Sequence, residues 1–335
     1  VMTRESYLEY SRIGMGRALA RAQREAVWSL HEKLVEQALA EGKGVPSLAW
    51  WLLLGHLTQA GQSGARWARV FVDECQDLTG TKLAILRRQA EHLVLAGDSE
   101  QMIYRGTSPF LDAGMDMRRV TTVSLSQVYR NTIPIFEFAR RVREMIPDAE
   151  EGGTGHATRM GPVPDVHFES GWNGLLDHLV ERIRMLAFRD DALYEPGSIA
   201  VLTLGRPEDY AARLEARNIK VRIAKHDDVD FAKTDAVFVS TIHTAKGMDF
   251  PVVFVLLDEI EEQRRHYLDD GADPAACAPR LMRLLYVAST RGMDILEIFC
   301  QQSGGREVPE VRALKAAHQE MLALFEGDGE TRHPG

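Results

Sequence analysis

At 335 residues the chain is long enough for two domains of ordinary size, and 45% hydrophobic with 27% charged residues is the composition of a soluble globular protein. A net charge of −9 excludes a uniformly basic nucleic-acid coat but leaves room for a local basic channel, because binding depends on where the charges sit. No stretch approaches a membrane span, the start has no signal-peptide pattern, and Cys75, Cys277 and Cys300 stand apart without metal-ligand spacing, so a reducing cytoplasmic setting is expected.

Residues 5–41 read as helix, with Leu8, Ala18, Leu19, Ala22, Val27, Leu30, Leu34 and Leu39 near helical period and Gly14 and Gly16 interrupting it. Arg17, Arg21 and Arg24 form a basic face, either plainly solvated or following a nucleic-acid backbone. Gly42-Lys43-Gly44 ends this segment, and Ser47 can cap a second apolar helix through Leu54 that carries Trp50 and Trp51. Neither region, nor any other, contains a Gly-x-x-x-x-Gly-Lys-Ser/Thr run, the loop whose backbone cradles phosphates.

The chain is organised around 69–101. Val70-Phe71-Val72 reads as a buried parallel strand that ends in Asp73-Glu74-Cys75-Gln76-Asp77. Leu93-Val94-Leu95-Ala96 reads as its neighbour and ends in Gly97-Asp98-Ser99-Glu100-Gln101, with a helix over 79–89 between them. Polar residues at the carboxyl ends of adjacent strands are what an open α/β sheet presents to a ligand. Nucleotide hydrolysis fits these residue types. Asp73 at a strand end can hold Mg²⁺, an ion that keeps much of its hydration; Glu74 can position and deprotonate a water; Gln101 can sense a γ-phosphate. The plain alternative for an isolated Asp-Glu is a solvated loop, and the pentad together with the second strand argues against it.

These two segments resemble motifs II and III of the superfamily 1 helicases, in the UvrD, PcrA and Rep group. Tyr104-Arg105-Gly106 is shorter than the family's Tyr-x-Trp-Arg-Gly and lacks the Trp; the resemblance gives Tyr104 the task of stacking on a base of a single strand. In the family the phosphate loop lies well upstream of motif II. The expectation is therefore a fragment without its amino-terminal part; the rival is a degenerate, non-hydrolysing relative.

A strand over 119–125 precedes Gln127-Val128-Tyr129-Arg130-Asn131-Thr132, which is similar to motif IV and leads into a helix over 135–145. The resemblance implies that Tyr129 stacks on adenine and that Arg130 reaches the γ-phosphate, a task suited to a planar, always-charged guanidinium. After a connector at 147–162, strands at 163–168, 199–204 and 219–224 alternate with helices at 172–189 and 207–217, the pattern of a parallel sheet. Only 225–235 separates this from the next motif, so the family's large insertion is absent.

Residues 236–250, with Thr241-Ile242-His243-Thr244-Ala245-Lys246-Gly247-Met248-Asp249-Phe250, are similar to motif V. The resemblance turns Thr241 and His243 toward nucleic acid and Gly247 and Asp249 toward the nucleotide. Asp249 stands where the family has Glu, one methylene shorter. An acidic stretch, 258–273, reads as a solvated loop. Arg283-Leu284-Leu285-Tyr286-Val287-Ala288-Ser289-Thr290-Arg291-Gly292 is similar to motif VI, with Arg291 the candidate arginine finger and Arg283 assisting from the same helix. A strand follows over 295–299, and a terminal amphipathic helix over 308–326.

The expected fold class is α/β, with two RecA-like P-loop NTPase domains of parallel sheet, the first incomplete. The segments are 1–68, helical; 69–117, the end of the first domain; 118–302, the second domain; and 303–335, a helix and tail. The family implies an ATP-dependent DNA helicase or translocase. ATP and Mg²⁺ would be its cofactors and single-stranded DNA its track, with RNA left open and a fused or associated nuclease domain as a further partner. Carboxylates of one lobe and guanidiniums of the other are expected to face the same triphosphate. The alternatives are a non-hydrolysing nucleic-acid-binding or regulatory module, or a helicase subunit of a nuclease or defence complex.

Overall fold

The computed structural model describes residues 3–9, 19–44, 46–59, 66–98, 110, 113–146, 155–169, 171–224, 234–258, 260–269, 274–301 and 309–326. The chain divides into two compact units, Val1–Val123 and Ser124–Gly335.

In the first unit, helices α1 (Arg4–Glu9), α2 (Arg21–Ala40) and α3 (Pro46–Gln59) precede strand β1 (Trp67–Val72), helix α4 (Gly80–Gln89) and strand β2 (Ala90–Leu95). The break expected at Gly14 and Gly16 lies outside the described residues. The Thr79 hydroxyl caps α4 by accepting the Lys82 amide at 3.3 Å. β1 and β2 pair in parallel, Phe71 opposite Val94. A small core gathers Leu54 of α3, Leu83, Ala84 and Ile85 of α4, and Ala113, with Leu95 of β2 against it. One face of the strand pair is covered in this way. On the other, Trp67 and Phe71 are 69% and 72% exposed, and Val94 is exposed too.

The second unit contains a parallel pair, β3 (Gln127–Thr132) with β4 (His156–Arg159), joined through helix α5 (Ile133–Glu144). Its centre is a six-stranded sheet. The strands are β5 (Asp165–Glu169), β6 (Ile199–Thr203), β7 (Val221–Ile223), β8 (Val237–Thr241), β9 (Phe250–Leu257) and β10 (Gly292–Gln301). Their spatial order is β5-β10-β9-β6-β8-β7 and every neighbouring pair is parallel. β6 is buried at all five positions and β9 at seven of eight, the continuous apolar run of a strand covered on both faces.

Helices α6 (Trp172–Ala187) and α7 (Pro207–Glu215) cover one face. Leu175, Leu176, Leu179 and Ile183 meet Ile199, Val201, Val239, Val252 and Phe254 there. Helices α8 (Ile260–Asp269), α9 (Pro274–Ser289) and α10 (Pro309–Glu326) complete the unit, and α9 and α10 both pack on α5. The chain is thus an α/β protein with parallel sheets.

Three local expectations change. The strand expected at 119–125 is not formed; Val123 and Leu125 are 77% and 90% exposed with no strand partner among the described residues, and the strand runs instead over Gln127–Thr132 where β4 meets it. β4 itself lies inside the stretch expected to be a connector. The acidic stretch after β9 holds helix α8, docked by buried Ile260, by Gln263 Nε2 donating to the Leu204 carbonyl at 3.2 Å, and by Arg264 paired with Glu310 at 3.0 Å.

Candidate nucleotide and nucleic-acid sites

In the first unit, the Val72 carbonyl accepts the Ala96 amide at 2.8 Å and the Ala96 carbonyl accepts the Cys75 amide at 3.0 Å. The ladder therefore continues past the strand ends and fixes the pentad. Asp73 is exposed, and its Oδ1 accepts the Glu74 amide at 2.9 Å. Glu74 has φ +48° and ψ +41°, the left-handed region, where a side-chain-bearing residue costs about 1–3 kcal/mol and surroundings must hold it. Gln76, only 5% exposed, does so: its Nε2 donates to Glu74 Oε2, and its Oε1 accepts the Asp98 amide at 3.2 Å. The close approach of the second loop requires Gly97, because a Cβ there would press on Gln76 Oε1 and stand 2.7 Å from Cys75 Sγ. Burial pushes the Cys75 thiol up, with the three neighbouring carboxylates adding to it. Gln101 and Tyr104 lie outside the described residues.

In the second unit, residues from three distant segments meet. Arg130, on β3, pairs through Nη1 with Asp249 at 3.0 Å to Oδ1 and 3.2 Å to Oδ2. Arg291 Nη1 is 3.5 Å from the same Oδ1. Asp249 leads into β9 and Arg291 leads into β10, so both stand at the amino ends of neighbouring parallel strands. The backbone repeats the link, with the Phe250 amide donating to the Arg291 carbonyl at 3.0 Å. α9 ends at Ser289, so Arg291 follows the helix that carries Arg283 instead of lying on it. Arg283 is half-buried. Tyr129, beside Arg130, is 69% exposed and offers an open ring face.

Two residues that support this cluster were not singled out from the sequence. Asn131 is buried, and its Nδ2 donates to the carbonyls of Thr290 at 3.1 Å and Gly292 at 2.5 Å. Arg159 Nη2 donates to the carbonyls of Arg130 at 2.7 Å and Met293 at 2.9 Å, and pairs with Asp294 at 2.8 Å. Asn131 sits inside the motif IV letters, and its position was the available signal; Arg159 had none.

Two members of this constellation, Asp249 and Arg291, fall inside a stretch that matches a known family model, and Arg130 lies before it. Residues 203–303 match the UvrD-like helicase C-terminal domain. Over that stretch the chain is similar to UvrD-like helicase C-terminal domains. A "Probable DNA helicase" of Mycoplasma pneumoniae (strain ATCC 29342 / M129 / Subtype 1) is 26% identical over 242 residues, which are 68% of this chain and 42% of that protein. The chain therefore spans less than half the length of that relative. Among solved structures, the C-terminal domain of a possible DNA helicase from Lactobacillus plantarum WCFS1 matches with a TM-score of 0.40 and 20% identity, over 57% of this chain and 96% of that one. Arterivirus nonstructural protein 10, a helicase, matches with a TM-score of 0.34 and 16% identity, over 71% of this chain and 40% of that one. Neither score is high enough to fix a fold.

Within the matched stretch, the residues that resemble motif V are divided between opposite edges of the sheet. Thr203, Thr241 and Leu256 lie at one level, so Thr241 stands at the carboxyl edge, whereas Asp249 stands at the amino edge. The turn of 242–249 crosses from one to the other, and Gly247 takes φ +82° there. Thr241 Oγ1 accepts the Thr244 amide at 3.1 Å and bonds the Thr244 hydroxyl at 3.0 Å, which closes the turn. His243 is half-buried; burial, with Arg280 adding to it, holds its imidazole below the ordinary value and so neutral. The structure thus brings Arg130, Asp249 and Arg291 together and keeps Thr241 apart from them. Among the described residues no helix is long and apolar enough to cross a membrane, and no cluster of His, Cys, Asp or Glu could by itself hold a metal.

Proposed function

We propose that this chain is part of an ATP-dependent DNA helicase or translocase that couples ATP hydrolysis to movement on single-stranded DNA. The observation that carries the reading is the meeting of Arg130 with Asp249 and Arg291, the latter two inside the stretch that matches the UvrD-like helicase C-terminal domain. Hydrolysis of a triphosphate needs carboxylates to hold metal and water, and fixed positive charge for the phosphoryl oxygens. The first unit carries the former and the second the latter.

Mg²⁺ fits what the first unit presents. That ion takes one or two carboxylates and fills its remaining positions with water and phosphate oxygens, so a lone exposed Asp73 suffices. When bound, the metal supplies charge neutralisation on the phosphates. Glu74, fixed by Gln76 in a strained backbone position, accepts the proton of the attacking water. Arg130 offers a forked cation, and the exposed Tyr129 ring offers a stacking surface for the base. Thr241 and His243, at the opposite sheet edge, are proposed to face the strand; a neutral imidazole there donates and accepts without adding charge. Gln101 and Tyr104 keep their proposed roles at the γ-phosphate and at a base.

The proposed architecture is two RecA-like domains, the first only partly contained in these residues. A parallel pair that leaves Trp67, Phe71 and Val94 bare supports this, since parallel strands are normally covered on both faces. These residues contain no phosphate-cradling glycine-lysine run, so the chain alone is expected to bind ATP weakly and turn it over poorly. The test is ATPase activity of the full-length protein with and without single-stranded DNA. Turnover stimulated by DNA supports the proposal; nucleotide-independent DNA binding with no turnover rejects it.

A further inference from the structure

The two arginines of the candidate site ride on different sheets, Arg130 on β3 of the parallel pair and Arg291 just ahead of β10 of the six-stranded sheet. Both ladders are irregular at these residues. Between the pairs Val128–Ala157 and Thr132–Arg159, three residues of β3, 129–131, stand against 158 alone. Between the pairs Gly292–Phe250 and Ile295–Val252, residues 293 and 294 stand against Pro251, which has no N–H to give. Carbonyls at such bulges need donors from outside a regular ladder. Two side chains supply them. Asn131 uses both hydrogens of its amide, one on the Thr290 carbonyl and one on the Gly292 carbonyl. Arg159 Nη2 uses its two on the carbonyls of Arg130 and Met293, while Asp294 holds the guanidinium in place. With the Phe250 amide on the Arg291 carbonyl, all four carbonyls from Thr290 to Met293 have a donor. Asn131 is 3% exposed, where water does not replace a lost donor.

Resting on the reading above, in which both guanidiniums face the triphosphate, we infer that Asn131 and Arg159 are positioning residues. They lock the 290–293 turn to the bulge of β3 and so set the spacing of Arg130 and Arg291, without touching the nucleotide. Asp249, 3.0 Å from one guanidinium and 3.5 Å from the other, joins the ends of the two side chains. Asn131 and Arg159 join the two backbones from which those side chains hang. Misplacing a reacting group by about 1 Å can cost about 10²-fold in rate, so a loosened turn shows in turnover even when the fold is kept.

The test uses the full-length protein, with single-turnover ATP hydrolysis on single-stranded DNA (enzyme in excess) and urea unfolding of every variant. Asn131→Ser keeps one donor of the two. Under conditions where its unfolding curve shows it fully folded, it is expected to lower the rate constant by about 10- to 10²-fold, with half-saturation by ATP within about threefold of wild type. Arg159→Lys, which keeps a cation and donors but not the planar fork, is expected to cost about three- to tenfold. In an Arg291→Ala background Asn131→Ser is expected to cost less than about twofold, because no guanidinium is left to aim. A folded Asn131→Ser protein that turns over at the wild-type rate overturns the inference. So does a loss of the same size with and without Arg291, the mark of a merely structural role. Should Asn131→Ser fail to fold, Arg159→Lys, at a side chain 42% exposed, decides alone through the same pair of backgrounds. A wild-type protein without DNA-stimulated turnover sinks the helicase reading, and the inference with it; an active wild type whose variants lose rate independently of Arg291 sinks only the inference.

Discussion

The two units place candidate chemistry on parallel strands in opposite ways. In the second, a six-stranded sheet is buried on both faces, and its candidate charged groups hang from strand starts fixed by that core. In the first, a two-stranded pair holds Asp73 and Glu74 beyond its carboxyl ends, with one face left bare. The second unit therefore owes its site to burial. The first owes its site to a few hydrogen bonds and one glycine that knit the two strand-end loops together. Substitutions separate these two modes of support.

The largest effect is expected in the second unit, at Glu297. This residue of β10 is 3% exposed and sits between Arg182 of α6, through a bidentate pair, and His167 of β5 at 3.0 Å. Burial pushes the Glu297 carboxyl up, and the His167 and Arg182 hydrogen bonds outweigh it and hold it below the usual carboxylate range. Glu297→Ala removes the buried carboxylate and leaves the half-buried Arg182 guanidinium without it, and is expected to cost about 3 kcal/mol, read from urea unfolding. An effect under about 1 kcal/mol would show that the edge strand does not depend on the pair.

Gly97→Ala is the corresponding test of the first unit. The new Cβ presses on Gln76 and Cys75, and a loss of about 1–3 kcal/mol is expected, together with weaker Mg²⁺–nucleotide binding in the full-length protein. A neutral substitution would mean that the two loops are not packed as described.

Acid should act mainly on the second unit. His243 has a lowered folded-state value, so the folded form binds fewer protons than the unfolded one near the ordinary imidazole value of about 6.5. Its contribution is present above that value and is lost as pH falls through it. Glu297 adds a second loss, below the ordinary carboxylate value of about 4.3. Thermal midpoints are expected to fall from pH 7 to pH 5, and His243→Gln to flatten that part of the profile; an unchanged slope contradicts the assignment. The smallest effect is expected at Phe71, where Ser should change the stability of this chain by about 0.5 kcal/mol or less, since the ring is 72% exposed.

Much of the site was legible because its letters are local. The strand, the pentad and the following helix all follow from short-range pattern, and β6, β8 and β9 declare themselves as unbroken apolar runs. The meeting of Arg130 with Asp249, 119 positions away, has no such signal, because it depends on which strands become neighbours. Asn131 and Arg159 act by donating to main-chain carbonyls, and any sequence offers such carbonyls everywhere. Helix α8 was hidden by its polarity: among its described side chains, Ile260 is buried, the Gln263 amide and the Arg264–Glu310 pair help dock it, and the sequence shows too little apolar surface for a period. The missing strand at 119–125 shows the reverse, β-branched residues with no strand partner among the described residues.

The central claim is that Glu74 and its neighbours hydrolyse ATP in step with single-stranded DNA. The most direct measurement is DNA-stimulated ATPase of the full-length Glu74→Gln protein beside equilibrium binding of a triphosphate analogue. The account predicts turnover lowered by at least about 10²-fold with analogue affinity kept, as expected when a proton acceptor is replaced by its isostere. Turnover at the wild-type rate in that variant would contradict it.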